Sequence, residues 1–520
     1  MTDQRSQSGA DIESETVIGL EVHVQLKTES KMFCRCPGDY ASDEPNTRAC
    51  PVCLGMPGAL PVINQRAVEW TVKTALALGL DIPQESKFDR KNYPYPDLMK
   101  GYQISQYDLP LSVNGHLNIE VDGERRHIRI LRIHLEEDTA RLRHRVDAAG
   151  EKYSLVDVNR SGLPLMEIVS EPDMRSPAEA RAYLVALRQI LRYLDVSTAN
   201  MEEGSFRCDA NISLRPKGSE TLGAKVEIKN MNSFRSVYKA LQFEADRQRI
   251  ALRKGEPIVQ ETRGWVEDEE VTVSQRSKEH AHDYRYFPEP DLPPLRIDPA
   301  WVEEVRSSLP ELPEAKRERF ARAYGLGDFD VEQLTEERVK AGYYEQALAA
   351  LDGGASLEQA KAIANWMNGE LARLMNHAGE SMQAVKIRPE HLAELVSLID
   401  AGTISNKLAK STIESMYATG KPPRQIVEES GQTQISGAEA LRAVVAKVLA
   451  EQPQAVADYR AGKEESLKYL VGQVMKATRG RANPQEATRH LQTALADAPT
   501  SVGDNQVQPS QEQKRQAERL

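Results

Sequence analysis

Along the first half of the chain, apolar residues recur at every second position in short runs. Residues 18–26 read I-G-L-E-V-H-V-Q-L. With the two-residue period of a strand, Val22, Val24 and Leu26 fall on one face and Glu21, His23 and Gln25 on the other. Burying such a polar row unpaired costs several kcal/mol, so a metal, a substrate or other side chains must satisfy it, unless that face is simply wet. Further strands are predicted over 117–121, 126–135, 155–159 and 226–229, separated by turn signals at Asn114-Gly115, Asp122-Gly123 and Lys217-Gly218. The period changes to that of a helix over 64–80, where Val68, Val72, Ala75 and Leu76 share a face and Gly79 closes the run. Ser176 and Pro177 open another helix as N-cap and first turn, running to about Leu194. The mixture predicts an α+β fold over residues 15–295, built on a mainly antiparallel sheet.

The pattern then changes. Pro288-Glu-Pro-Asp-Leu-Pro-Pro294 reads as a stiff linker, and from Trp301 helix formers dominate. An all-helical region is predicted over 296–404, punctuated by Pro389 and Gly402, and a third unit of short helices over 405–491. From Ser405 to His490 there are 13 Lys+Arg against 9 Asp+Glu, a mildly basic stretch in an acidic chain. Residues 1–14 and 492–520 are polar, with few large apolar side chains, and read as disordered ends. No internal repeat is evident.

With 520 residues and 40% hydrophobic content, the chain is long enough for about three domains. Its net charge of −11 argues against a protein that coats nucleic acid over its whole surface, and leaves room for a local basic patch. No apolar run approaches the roughly 20 residues that span a bilayer. The first 15 residues lack an apolar core, so neither a signal peptide nor a transit sequence is expected. Five cysteines in so long a chain do not make a disulfide framework, and a reducing cytoplasm is the expected compartment.

Four of those cysteines cluster as Cys34-Arg-Cys36 and Cys50-Pro-Val-Cys53. Two short-spaced pairs suit a tetrahedral zinc site, and four protein ligands leave no open position, so such an ion is structural. Free thiols are the alternative. Cys208 stands alone and is expected to be a small buried residue.

Besides Glu21 and His23, acidic residues emerge from apolar surroundings at His134-Leu-Glu136-Glu137-Asp138 and at Leu163-Pro-Leu-Met-Glu167-Ile-Val169. By period 2, Glu137 continues the face of Leu131, Ile133 and Leu135. Glu21, His23, Glu137 and Glu167 together suit a divalent-cation site, Mg²⁺ or, given the His, Mn²⁺. Each carboxylate can instead pair with an arginine, Arg129, Arg132 and Arg160 being candidates. There is no P-loop, Rossmann turn, zinc-protease helix or nucleophile elbow in the sequence.

Long segments also resemble a known family. V-I-G-L-E-V-H-V-Q-L (17–26), K-F-D-R-K-N-Y (87–93), Y-Q-I-S-Q-Y-D (102–108), E-E-D-T-A-R (136–141), G-L-P-L-M-E-I-V-S-E-P-D (162–173), M-E-E-G-S-F-R-C-D-A-N-I-S (201–213), D-Y-R-Y-F-P-E-P-D-L (283–292) and L-V-G-Q-V-M-K-A-T-R-G-R-A-N-P (470–484) closely resemble the B subunit of the bacterial aspartyl/glutamyl-tRNA(Asn/Gln) amidotransferase. The resemblance implies a cradle-shaped kinase-like domain, a helical domain and a tRNA-binding tail domain. It implies a carbon–nitrogen ligase with glutamine as amido donor, working as a heterotrimer in the cytoplasm. The A subunit makes ammonia from glutamine, the C subunit straps A and B together, and B uses ATP to activate the side-chain carboxylate of Glu on tRNA(Gln) or Asp on tRNA(Asn). Carried over, the family's Mg²⁺ site falls on Glu21, His23, Glu137 and Glu167, and zinc braces the loop carrying the four cysteines. Arg90, Lys91, Arg207 and Lys229 become candidate clamps for phosphate or carboxylate, with Tyr284, Arg285 and Tyr286 lining the cradle. Lys476, Arg479 and Arg481 become candidate contacts for the RNA backbone. His280 and His282 are expected to be solvent-exposed and to hold no second metal. A non-catalytic tRNA-binding scaffold in the same complex is the alternative role; a metal-dependent hydrolase acting on RNA or nucleotides is a further one.

Overall fold

The computed structural model describes residues 13–277, 284–430, 438–478, 482 and 484–497. Two compact units emerge, one formed by residues through Arg319 together with Thr335–Arg338, the other by Phe320–Leu334 and residues from Val339 onward.

The first unit is organised by an eight-stranded sheet. Its order is Val271–Ser277, Glu261–Val266, Val226–Lys229, Phe206–Pro216, Ser14–Gln25, Pro164–Ser170, Glu124–Glu137 and Ser112–Val121. Every neighbouring pair is antiparallel except Val226–Lys229 with Glu261–Val266. Register makes one face apolar: Val22 lies between Cys208 and Ile168, and Ile168 lies beside Ile133. All four are buried, as expected for Cys208. Fully burying an aliphatic side chain of this size stabilises by about 1.5–3 kcal/mol. Tyr183 and Leu187 of helix Pro177–Leu194, Val68 and Ala75 of helix Gln65–Ala77, and Leu241 of helix Phe234–Arg253 belong to the same core. The helix stops are local. Ser176 caps Pro177–Leu194 by accepting from Glu179 N, and Asp195 ends it in the left-handed region at φ 60°.

Several expectations change. Asn114-Gly115 is not a turn: Asn114 has φ 61° inside the continuous strand Ser112–Val121. A Cβ on Gly115 would lie 2.2 Å from Leu80 Cδ1, so the glycine is required by a close approach and not by chain reversal. Nor is 288–294 a stiff linker standing between domains. Phe287–Pro288 pairs with Arg90 and Asp89, Leu295–Arg296 pairs with Ser86 and Glu85, and Glu289 between them is buried. Val305 of helix Pro299–Ser307 packs on Val72 and Leu76, which carries the first unit past residue 295.

The second unit is helical and, among the described residues, has two cores. One gathers Tyr344, Ile363, Leu395, Ile413, Met416 and Val427; the other gathers Leu441, Val445, Leu470, Val474, Leu491 and Leu495. The cores therefore divide after helix Pro423–Ser430, whereas the sequence pattern places the division at 405. The last helix, Pro484–Asp497, runs six residues past 491 because Ala487, Leu491 and Leu495 recur at intervals of four and are buried together. No helix among the described residues is long and apolar enough to cross a membrane.

Candidate functional site

The second face of the sheet carries polar side chains, and register brings them into rows. His23 lies between Arg207 and Glu167, and Glu167 lies beside His134. One row down, Glu21 faces Asp209. His23 Nε2 is 3.3 Å from Glu167 Oε2 and 3.9 Å from Glu136 Oε1, and His134 Nε2 is 3.4 Å from the same Glu167 oxygen. His23, Glu136 and Glu167 each offer a ligand atom within 4.8 Å of the others.

Of the four predicted cation ligands, His23 and Glu167 meet there. Glu137 does not. It stands on the apolar face, where its Oε1 accepts from Ile104 N at 2.9 Å and pairs with Lys100, while Gln103 Nε2 donates 2.7 Å to its carbonyl. Glu137 thereby holds strand Tyr102–Ser105. The adjacent Glu136 has the parity of His134 and takes the place in the cluster, fixed by Ser105 Oγ at 3.1 Å. Glu21 shares the face of His23 but accepts from Asn211 Nδ2 at 2.8 Å, outside the three-residue group. It borders a groove of about 260 Å³ lined by Val17, Leu131, Val169, Pro172, Leu222 and Asn211. The three arginines considered as partners for these carboxylates are engaged elsewhere: Arg129 pairs with Asp173, Arg132 donates to Tyr107 O, and Arg160 donates to Thr139 O and Ala140 O.

The electrostatics are those of a compact acidic cluster ringed by cations. Burial pulls the His23 imidazole down, but Glu167, Glu136 and Asp209 outweigh it and hold its pKa above the usual value. Burial likewise opposes ionisation of Glu167, yet His134 and His23 hold it well below the carboxylate range. Lys91 Nζ lies 3.8 Å from Glu136 Oε2 and 5.3 Å from the Tyr284 ring centroid, and the two glutamates raise its pKa against the cost of burial. Arg207 reaches Asp138 at 3.0 Å. Asp138 is buried, which alone would raise its pKa; Arg207, Arg160 and Gln25 hold it at about 2.

The donor set is one imidazole and two carboxylates, nitrogen-poor and oxygen-rich. Beside it, the buried Nδ1 of His134 has no hydrogen-bond partner among the described residues. That chemistry fits Mg²⁺ or Mn²⁺.

The other expected cations are dispersed. Arg90 points away from its neighbour Lys91 and binds Glu289 through both arms at 2.7 and 2.8 Å. Lys229 joins the row beside Glu21, held by Asp209 at 2.6 Å and Glu227 at 3.2 Å. Tyr284 packs edge-on to Tyr93 and Tyr286, whereas Arg285 contributes its carbonyl, which accepts from Asn92 Nδ2 at 2.9 Å. Lys476 closes the last turn of helix Glu465–Ala477 in the second unit. Arg479, Arg481, His280 and His282 lie outside the described residues.

The four cysteines do converge. Cys34, Cys36, Cys50 and Cys53 place their sulfurs within 4.8 Å of one another, and Cys50 and Cys53 Sγ are 3.8 Å apart. A tetrahedron with Zn–S bonds of about 2.3 Å has edges of about 3.8 Å, so the set fits zinc. A hydrogen bond from Cys34 leads the effects drawing the Cys53 thiol down to about 5, and the buried Lys31 adds to it.

An open sheet carries an acidic cluster flanked by the half-buried Lys91 and Arg207 beside a groove lined largely by apolar residues, which makes this an α+β protein with a candidate divalent-metal site. Known proteins share this chain's sequence over nearly its whole length. Residues 16–303 match the family described as the GatB/GatE catalytic domain, and residues 349–495 match the GatB domain. The B subunit of the aspartyl/glutamyl-tRNA(Asn/Gln) amidotransferase of Dehalococcoides mccartyi is 57% identical over 488 residues, covering 93% of this chain and 99% of the relative. Its counterpart in Thermomicrobium roseum is 58% identical over 484 residues, and that in Carboxydothermus hydrogenoformans 54% over 484, each with the same coverage. The chain belongs to the family of amidotransferase B subunits.

Proposed function

We propose that this chain is the carboxylate-activating subunit of a tRNA-dependent amidotransferase. It transfers the γ-phosphoryl group of ATP to the side-chain carboxylate of Glu on tRNA(Gln) or Asp on tRNA(Asn). A carboxylate oxygen forms the new bond to phosphorus as the β–γ bridging bond breaks, leaving ADP and an acyl phosphate. Ammonia then attacks the acyl carbon, phosphate departs, and a proton is lost to give the amide. Free carboxylate resists ammonia because its charge repels a lone pair and oxide leaves poorly; phosphorylation removes both obstacles. Ammonia comes from the glutaminase A subunit, with the C subunit completing a cytoplasmic heterotrimer.

The observation that carries this reading is the convergence of His23, Glu136 and Glu167 with Lys91 and Arg207 on the polar face. Phosphoryl transfer needs positioning and charge neutralisation more than covalent help. His23, Glu136 and Glu167 would hold a divalent cation, which when bound would supply charge neutralisation for the transferring phosphoryl group. Lys91 and Arg207 flank that position and orient phosphate or substrate carboxylate, each kept charged by its acidic neighbours. His134 fixes the Glu167 carboxylate from the far side. The groove walled by Val17, Leu131, Val169 and Leu222 suits a nucleobase, with Asn211 as a polar contact at its edge. Zinc at the four cysteines is structural.

The test is reconstitution with the A and C subunits. ADP formation should require mischarged tRNA, and Glu-tRNA should become Gln-tRNA only with ATP and glutamine present. ADP release independent of mischarged tRNA would point to a nucleotide hydrolase instead.

A further inference from the structure

Between the strand that carries Glu136 and the strand that carries Glu167, the chain makes an excursion as the hairpin Arg141–Val146 with Lys152–Asp157. Among the described residues, these two strands pair only with each other. Register places Arg141, Arg143 and Arg145 in a row on one face, opposite Asp157, Leu155 and Tyr153. Tyr153 and Leu155 are about half exposed, at 47% and 50%. Arg143 is taken up by Asp157 at 2.8 Å and Arg141 lies 5.5 Å over the Tyr40 ring, while exposed Arg145 donates to the His144 carbonyl at 3.1 Å. At the tip, Asp147 accepts from Ala149 N and Glu151 N, closing the turn.

The root is rigid and adjoins the site. Asp138 N donates to Leu163 O and Gly162 N to Asp138 O, both at 2.8 Å, and Arg160 clamps Thr139 O and Ala140 O. Asn46 from the cysteine loop accepts from Val158 N at 2.8 Å and donates to Val156 O at 3.2 Å. A rooted, solvent-exposed hairpin with arginines and an aromatic on one face adds nothing to the core of the sheet.

We propose that this hairpin guides the single-stranded 3′ end of the aminoacylated tRNA into the site, its arginines following the phosphates and Tyr153 offering a stacking surface for a base. Alternate residues along a strand lie about 6.6 Å apart, comparable to successive phosphates of an extended nucleic-acid strand. Each six-residue strand reaches about 20 Å from a root beside Asp138 and Arg207. Asp138 at this root pairs with Arg207, the cross-strand neighbour of His23, so the hairpin starts beside the position proposed for the aminoacyl carboxylate. Stacking and backbone contacts of this kind accept any base sequence. The inference rests on the proposed activation of an aminoacyl-tRNA.

The test uses the full heterotrimer and two transcripts of tRNA(Gln), one complete and Glu-charged, the other lacking its 3′ single-stranded nucleotides. Combining Arg145→Ala with Tyr153→Ala is expected to raise Kd for the complete transcript about tenfold and to shrink the slope of log K against log salt by about 0.7, the share of one phosphate contact. The truncated transcript should bind the variant and the parent equally, and KM for ATP should not change. Arg145→Lys should retain the salt slope. Equal affinity of variant and parent for the complete transcript overturns the proposal, and so does an equal loss on both transcripts. Impaired binding of the A or C subunit with an unaltered salt slope would make the hairpin a protein interface and also overturn it. Loss of Glu-tRNA conversion by the unsubstituted complex would defeat the activation reading instead, while these binding measurements would still decide the hairpin.

Discussion

Glu136 and Glu137 are neighbours in sequence and point to opposite faces of one sheet, so only one of them reaches His23. Strand parity contained that answer. His23 sits opposite the apolar Val22 and Val24, and along 133–137 the apolar face is that of Ile133 and Leu135, which Glu137 shares. The polar face therefore belongs to His134 and Glu136. What parity could not supply is pairing order, because nothing local says that residue 23 meets 167 and 167 meets 134. Asp138 illustrates a second consequence at this scale. Its folded pKa of about 2 lies below the unfolded value, so it adds stability above about pH 4 that is lost as pH falls towards 2. The shift corresponds to about 2 kcal/mol. Urea midpoints measured from pH 6 to pH 2.5 should show Asp138→Asn with a lower plateau and a shallower acid decline than the parent. Parallel curves would remove Asp138 as the source.

At the scale of elements, strands and helices with clean periodicity were legible and exceptional turns were not. Helix Gln65–Ala77 ends before Gly79 as its pattern indicates, and Ser176 caps Pro177–Leu194. Asn114-Gly115 misled because the same dipeptide that permits a turn also permits a positive φ within a strand. The cysteine loop was visible from spacing, but its ties through Asn46 and Asn159 to the neighbouring hairpin were not. Those ties give the loop a mechanical role. The purified chain should carry one zinc ion, measured by elemental analysis. Cys50→Ser should lose it, lower the Tm and speed proteolysis within 39–53, with ATP-binding affinity largely kept. Full zinc content in that variant would exclude the four-cysteine site.

At the scale of the whole molecule, the change from strand-rich to helical character was plain, yet its boundaries were displaced. Proline-rich 288–294 resembles a linker in composition but is paired on both sides, and Glu289 anchors Arg90. Helices Asn406–Thr419 and Pro423–Ser430 bury Ile413 and Val427 in the preceding core. Truncation after Ser430 should therefore leave that core intact where truncation at 405 would open it. Within the reconstituted heterotrimer the chain ending at Ser430 should show a raised KM for mischarged tRNA, with glutaminase activity and KM for ATP retained. Unchanged tRNA affinity at physiological salt would remove the tail from RNA binding.

The most direct test of the proposed site compares Glu136→Gln with Glu137→Gln in the heterotrimer, following Glu-tRNA to Gln-tRNA conversion with glutaminase activity and tRNA affinity measured alongside. Glu136→Gln should slow conversion at least about a hundredfold while tRNA still binds. Glu137→Gln should keep most of the rate, since Gln retains an oxygen for Ile104 N. Undiminished conversion by Glu136→Gln would contradict the proposed site, and a loss confined to Glu137→Gln would place the chemistry on the opposite face.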